Sequence, residues 1–191
     1  MSSLRTLDFD VPGAWAQAGT GRFVSVAPGV LETEGGPGML WYTREAFADF
    51  RLEVDWRLSS IEDNSGVYVR FPSGELARSD PSWKAGLEVQ IDDRGVDVEA
   101  GKEGSALHVT GVVYGEAPAR LLASRPVGEW NTFVIEARGL RLHVTLNGQE
   151  VCAYREASGR PLVGVLGLQN HHEGSRVQFR APRLQVYVPN G

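Results

Sequence analysis

Residues 86–92 read Gly-Leu-Glu-Val-Gln-Ile-Asp, a strict alternation of apolar and polar side chains. In an extended chain successive side chains point to opposite faces. Leu87, Val89 and Ile91 therefore share one face, and Glu88, Gln90 and Asp92 share the other. A helix would scatter both sets around its axis, so the segment demands a strand with one face against a core. The opposite face carries two carboxylates and an amide in a row. That row has poor β-propensity unless it meets water or a ligand.

The pattern recurs along the chain. Leu52, Val54, Trp56 and Leu58 alternate with Glu53, Asp55 and Arg57, and Val67, Val69 and Phe71 alternate with Tyr68 and Arg70. Residues 140–146 alternate as well, and Asn147-Gly148 closes a hairpin onto residues 149–154. Turn signals such as Gly35-Gly36-Pro37-Gly38 and Asp63-Asn64-Ser65-Gly66 separate the segments. A glycine-bracketed strand is expected at residues 110–115, and one helical turn near residues 43–48. The whole predicts an all-β jelly-roll β-sandwich of two antiparallel sheets, with roughly twelve strands. Leu52, Val54, Trp56, Val67, Val69, Leu87, Val89 and Ile91 are its expected core. No Pro/Ser-rich linker divides the 191 residues, so residues 1–191 are read as a single domain.

A formal net charge of −5 and the lack of any basic run argue against a nucleic-acid partner. Cys152 is the only cysteine, which excludes an intrachain disulfide; between Val151 and Ala153 it reads as a small apolar strand residue. No apolar run follows Met1-Ser-Ser-Leu-Arg5, so the expectation is a cytoplasmic protein without a signal peptide or membrane span. The oligomeric state is left open.

Seven motifs, in order, resemble the 3-keto-disaccharide hydrolase (DUF1080) domain family. They are Phe50-Arg51-Leu52 with Trp56-Arg57, then residues 64–70, residues 86–92, residues 110–115, Gly128-Glu129-Trp130-Asn131, Leu146-Asn147-Gly148, and residues 164–171. The resemblance runs from about residue 20 to residue 187. It implies a concanavalin A-like lectin/glucanase fold, and action on, or binding of, glycosides whose sugar is oxidised at C3. A small-molecule glycoside is thus the implied partner.

With those strands in one sheet, shared face parity gathers Tyr68, Arg70, Glu88, Gln90 and Asp92 on one concave groove, and Tyr114, Gln169 and His171 join them. Asn64 reaches its edge, and Trp83 is the candidate aromatic platform for a sugar ring. Carboxylates and amides bracket vicinal hydroxyls, an arginine meets oxygens, and an aromatic covers the C–H face of a pyranose. An ordinary retaining glycosidase needs two carboxyls about 5–5.5 Å apart. Glu88 and Asp92 would stand about 13 Å apart on a regular strand, with Gln90 between them. A route through the C3 ketone is implied instead: a base removes the acidified C2 proton, and a donor such as Arg70 or Tyr68 stabilises the enolate. Glu88 and His171 are the expected acid/base pair. Asp92 either orients His171 or holds a divalent cation, which the donor set allows but no spacing motif demands. Two alternatives stand beside this reading: a non-catalytic carbohydrate-binding module, and a biosynthetic enzyme with a non-sugar substrate.

Overall fold

The computed structural model describes residues 3–71 and 86–187, so Trp83 lies outside the described residues. Every regular element among them is a strand. In chain order these are β1 (Arg5–Thr6), β2 (Trp15–Gly19), β3 (Arg22–Ala27), β4 (Val30–Glu34), β5 (Gly38–Tyr42), β6 (Phe50–Leu58) and β7 (Ser65–Phe71). There follow β8 (Leu87–Ile91), β9 (Asn131–Arg138), β10 (Arg141–Leu146), β11 (Gln149–Arg155), β12 (Val165–Asn170), β13 (Val177–Arg180) and β14 (Arg183–Val186).

They form two antiparallel sheets. The larger runs β11-β10-β9-β6-β13-β4-β3, with β14 also paired to β6 and β1 paired to β14. The smaller runs β2-β5-β12-β7-β8. The inner faces meet in one apolar core that holds all eight core residues expected from the alternation. Trp56, Phe50, Phe133 and Phe179 are among its largest fully buried side chains; each contributes about 1.5–3 kcal/mol of burial free energy. The alternation of β9, buried at every second residue from Asn131 to Ala137, is what a strand with one face on such a core requires.

The smaller sheet is apolar on part of its outer face too. Met39, Trp41, Tyr68, Phe71 and Val165 form a second buried cluster there. Phe71 was expected on the core side with Val67 and Val69, and the backbone explains the difference. Arg70 sits at φ 53°, in the left-handed region. Tyr68 pairs with Gly167 and Phe71 with Val165, so two residues of β7 oppose one of β12. This bulge reverses side-chain parity after Val69.

Two other expectations are corrected. Residues 43–48 hold no helical turn; Phe47 instead bridges to Gly164. Residues 110–115 are not a regular strand, yet they run along the free edge of β8 as an irregular rung. Thr110 and Tyr114 N–H donate to the Asp92 and Glu88 carbonyls at 3.0 Å each, and Gly111 N–H donates to the Gln90 carbonyl at 2.9 Å. This covers an edge that would otherwise expose unpaired backbone groups.

Candidate active site

The register of β7 on β8 sets Tyr68 directly opposite Glu88 and Gly66 opposite Gln90, all on the outer face of the smaller sheet. Tyr68 OH donates to Glu88 Oε2 at 2.6 Å. The Gln90 amide is satisfied with its nitrogen toward Glu88 Oε1, at 3.1 Å, and toward the Ser65 carbonyl, at 3.2 Å. Glycine at position 66 makes this possible. A Cβ there would stand 2.3 Å from Glu88 Oε1, so the carboxylate folds back over bare backbone. From β12, Gln169 Nε2 donates to Tyr68 OH at 3.3 Å. One polar row thus links Gln90, Glu88, Tyr68 and Gln169 across three strands.

Electrostatics single out Glu88. Burial pushes its carboxyl up to about 7, against the Tyr68 hydrogen bond, which favours the charged form. The Tyr68 phenol is raised well above its ordinary value by burial first, then by the Glu88 charge. The Tyr114 phenol is raised for the same reasons in the same order. His171 is lowered by burial and by neighbouring His172, while Asp92 pulls it back up.

These groups line one cavity of about 630 Å³. The structure brings Asn64, Tyr68, Glu88, Gln90, Tyr114, Gln169 and His171 to its walls. Two expected members are elsewhere. Arg70 is carried away by the bulge: its guanidinium donates to the Ala48 carbonyl at 3.0 Å and lies 3.7 Å from Asp49. Asp92, 1% exposed, is consumed by structure. Its carboxylate accepts from the Arg94 and Val96 N–H groups at 3.0 Å each and from Asn64 Nδ2 at 3.2 Å. It makes no hydrogen bond to His171, whose Nδ1 instead lies 3.0 Å from His172 Nδ1.

The cavity also holds residues that strand parity could not reveal, because they come from loops and strand ends. Arg94, Arg160 and His172 are its other basic groups, and Glu99 and Glu116 its further carboxylates. His172 reaches the cavity beside His171 because the strand ends at Asn170, where alternation stops applying. Arg160 is anchored at the rim by Glu116 and by Ser158 Oγ at 3.2 Å. Among the described residues five buried side-chain polar atoms lack a hydrogen-bond partner, and three belong to residues lining this cavity: Arg94 Nε, Gln169 Oε1 and Asn170 Oδ1. Unsatisfied buried groups are costly, and three of the five belong to the lining of this one cavity. Among the described residues no three His, Cys, Asp or Glu side chains come together as a metal-binding group.

Comparison with known proteins places this geometry. The family model described as a 3-keto-alpha-glucoside-1,2-lyase-like domain matches residues 8–185. A search of curated protein sequences finds no significant match. Among solved structures, a putative glycosyl hydrolase from Parabacteroides distasonis is similar with a TM-score of 0.75 and 21% identity, covering 97% of this chain and 100% of that one. The carbohydrate binding module CBM66 from Bacillus subtilis is similar with a TM-score of 0.59 and 14% identity, covering 90% and 95%. The exoplasmic/lumenal domain of VIP36, in a Ca2+/Man-bound form, gives 0.56 and 11%, covering 93% and 85%. These likenesses establish the lectin-like sandwich fold.

Proposed function

Because this chain belongs to the 3-keto-alpha-glucoside-1,2-lyase-like domain family, we propose that it cleaves 3-keto-glycosides by elimination, with Glu88 as the general base. The observation that carries this reading is the Glu88 carboxyl, pushed up to about 7 inside a polar cavity. A module that only binds sugar has no need of a carboxyl titrating near neutrality; an enzyme that removes a carbon-bound proton does.

The C3 ketone acidifies the C2–H bond. Ionised Glu88 takes that proton, and the C–H electron pair moves into an enolate on C2, C3 and the ketone oxygen. Arg94, a cation on the cavity wall, takes the oxyanion-stabilising role that parity had given to Arg70. The enolate then expels the C1 oxygen. His171, on the same cavity wall and neutral where Glu88 is ionised because its value is lowered, donates an N–H hydrogen bond to the departing oxygen, which takes its proton from solvent water. The products are the free alcohol and a C1–C2 unsaturated 3-keto sugar, to which water adds in a hydrolytic outcome. Gln90 and Tyr68 hold the base in place, and Gln169 and Asn170 line the same cavity.

The test is turnover of a 3-keto-glucoside in deuterium oxide. C2 of recovered substrate, and of the water adduct where the outcome is hydrolytic, is expected to carry solvent deuterium. Glu88→Gln is expected to cut kcat by about 10²–10⁴-fold with ligand affinity largely kept. Tight binding of glycosides by the wild type, with no turnover of the 3-keto forms, would instead assign a carbohydrate-binding module.

A further inference from the structure

On the far side of the molecule, the outer face of the larger sheet carries a second cavity, of about 560 Å³. Its walls are Glu136, Arg138, Leu140, Arg141, His143 and Arg155. The strand register explains the composition. Arg141 of β10 is paired with Arg138 of β9 on one side and with Arg155 of β11 on the other. Paired residues in an antiparallel sheet project on the same face, with Cβ atoms about 5 Å apart. Three guanidinium side chains thus stand abreast across three strands.

Like charges directly opposite one another destabilise a sheet unless something neutralises them. The protein supplies little. Among the described residues Arg138, Arg141 and Arg155 make no ion pair, although ten other arginines do. Of the nearby carboxylates, Glu136 shares the wall, accepts from Tyr187 OH at 2.6 Å and offsets only part of the row's charge, while Glu150 is held by Arg120 and lies 3.4 Å from His143 Nδ1. Arg138 is held over the Tyr187 ring, 3.6 Å from its centroid, which fixes one end of the row. This local positive charge stands on a chain whose net charge is −5.

We propose that Arg138, Arg141 and Arg155 form a site for a tetrahedral oxyanion, the phosphate or sulfate group of a small ligand. Guanidinium forks match the paired oxygens of such a group, and three of them neutralise its charge. Exposed Leu140 at the cavity edge offers an apolar surface to whatever the group is attached to. The site lies on the opposite sheet from Glu88, so it is independent of the chemistry proposed there.

Inorganic phosphate, sulfate and glucose 6-phosphate test it by thermal unfolding and calorimetric titration, each against sodium chloride at equal ionic strength. The expected result is a rise in Tm of about 3 °C at ten times the dissociation constant. The rise should vanish in Arg141→Gln/Arg155→Gln, whose substituted side chains are exposed. It should persist in Arg22→Gln/Arg44→Gln, which removes two exposed arginines elsewhere. A larger shift with glucose 6-phosphate assigns the site to an ester, and equal shifts assign it to the free oxyanion. No shift beyond chloride, or the same shift in the Arg141/Arg155 variant as in the wild type, overturns the proposal.

Discussion

A carboxyl that ionises near pH 7 inside a fold, but near 4.5 in the unfolded chain, costs stability once it is charged. Glu88 is in this position. Between those two values the folded state holds more protons than the unfolded state, so stability falls as pH rises and the loss is complete above about 7. The size is on the order of 3 kcal/mol. Tyr68 and Gln90 donate to the charged form, which limits the loss without removing it. The urea midpoint of the wild type is therefore expected to decline from pH 4.5 to 7.5. In Glu88→Gln, which keeps the shape and loses the titration, that component of the decline should be missing. Parallel curves for the two proteins would mean that Glu88 is hydrated and not poised as a base.

Two glycines in the smaller sheet separate the demands of fold and site. A Cβ at Gly164 would lie 2.3 Å from the Arg70 carbonyl carbon and 2.6 Å from the Phe71 carbonyl oxygen, so the bulge in β7 depends on bare backbone opposite it. Gly164→Ala is expected to lower stability by about 2–4 kcal/mol in urea unfolding. At Gly66 the obstacle is the mobile end of Glu88 instead. Gly66→Ala should leave the unfolding midpoint within about 1 kcal/mol of wild type and lower kcat about 10²-fold by displacing the base. These positions also mark what the sequence made legible. Alternation assigned Leu87, Val89 and Ile91 to the core and put Glu88 and Gln90 beside Tyr68, because the β7–β8 pair is regular there. It misassigned Arg70 and Phe71 because period-two counting assumes an unbroken strand, and an arginine gives no warning of positive φ. The available signal was Gly164, a glycine at the strand edge that a close backbone approach requires. Arg94, Arg160 and His172 were out of reach for another reason: loops have no side-chain period. The arginine row required knowing which strands are neighbours, since its members are scattered in sequence and only the register aligns them.

At the scale of the whole molecule, two buried carboxyls act on stability in opposite senses. Glu156, 4% exposed, follows β11. Burial alone would raise its carboxyl, but hydrogen bonds from Ser158 Oγ, Tyr154 OH and the Ser158 and Arg160 N–H groups hold it at about 2. Its folded-state value is depressed, so its contribution is fully present above 4.5 and is lost as pH falls toward 2. Glu88 is raised, so its penalty is absent below 4.5 and complete above about 7. His171, a partly covered surface residue with a lowered value, opposes Glu88 just below 6.5 with the smaller share. Together these place maximal stability near pH 4.5–5.5, where Glu88 is protonated and unable to act as a base. Turnover should rise through pH 7, where stability is already declining. Urea midpoints from pH 2 to 9 and kcat/KM from pH 4 to 9 are expected to give two displaced curves, the activity limb rising as the stability limb falls. In Glu156→Gln the acid limb of the stability curve should flatten while the activity limb keeps its midpoint, because Glu156 lies outside the walls of the cavity. Stability and activity peaking at the same pH would remove the link between the Glu88 titration and the chemistry.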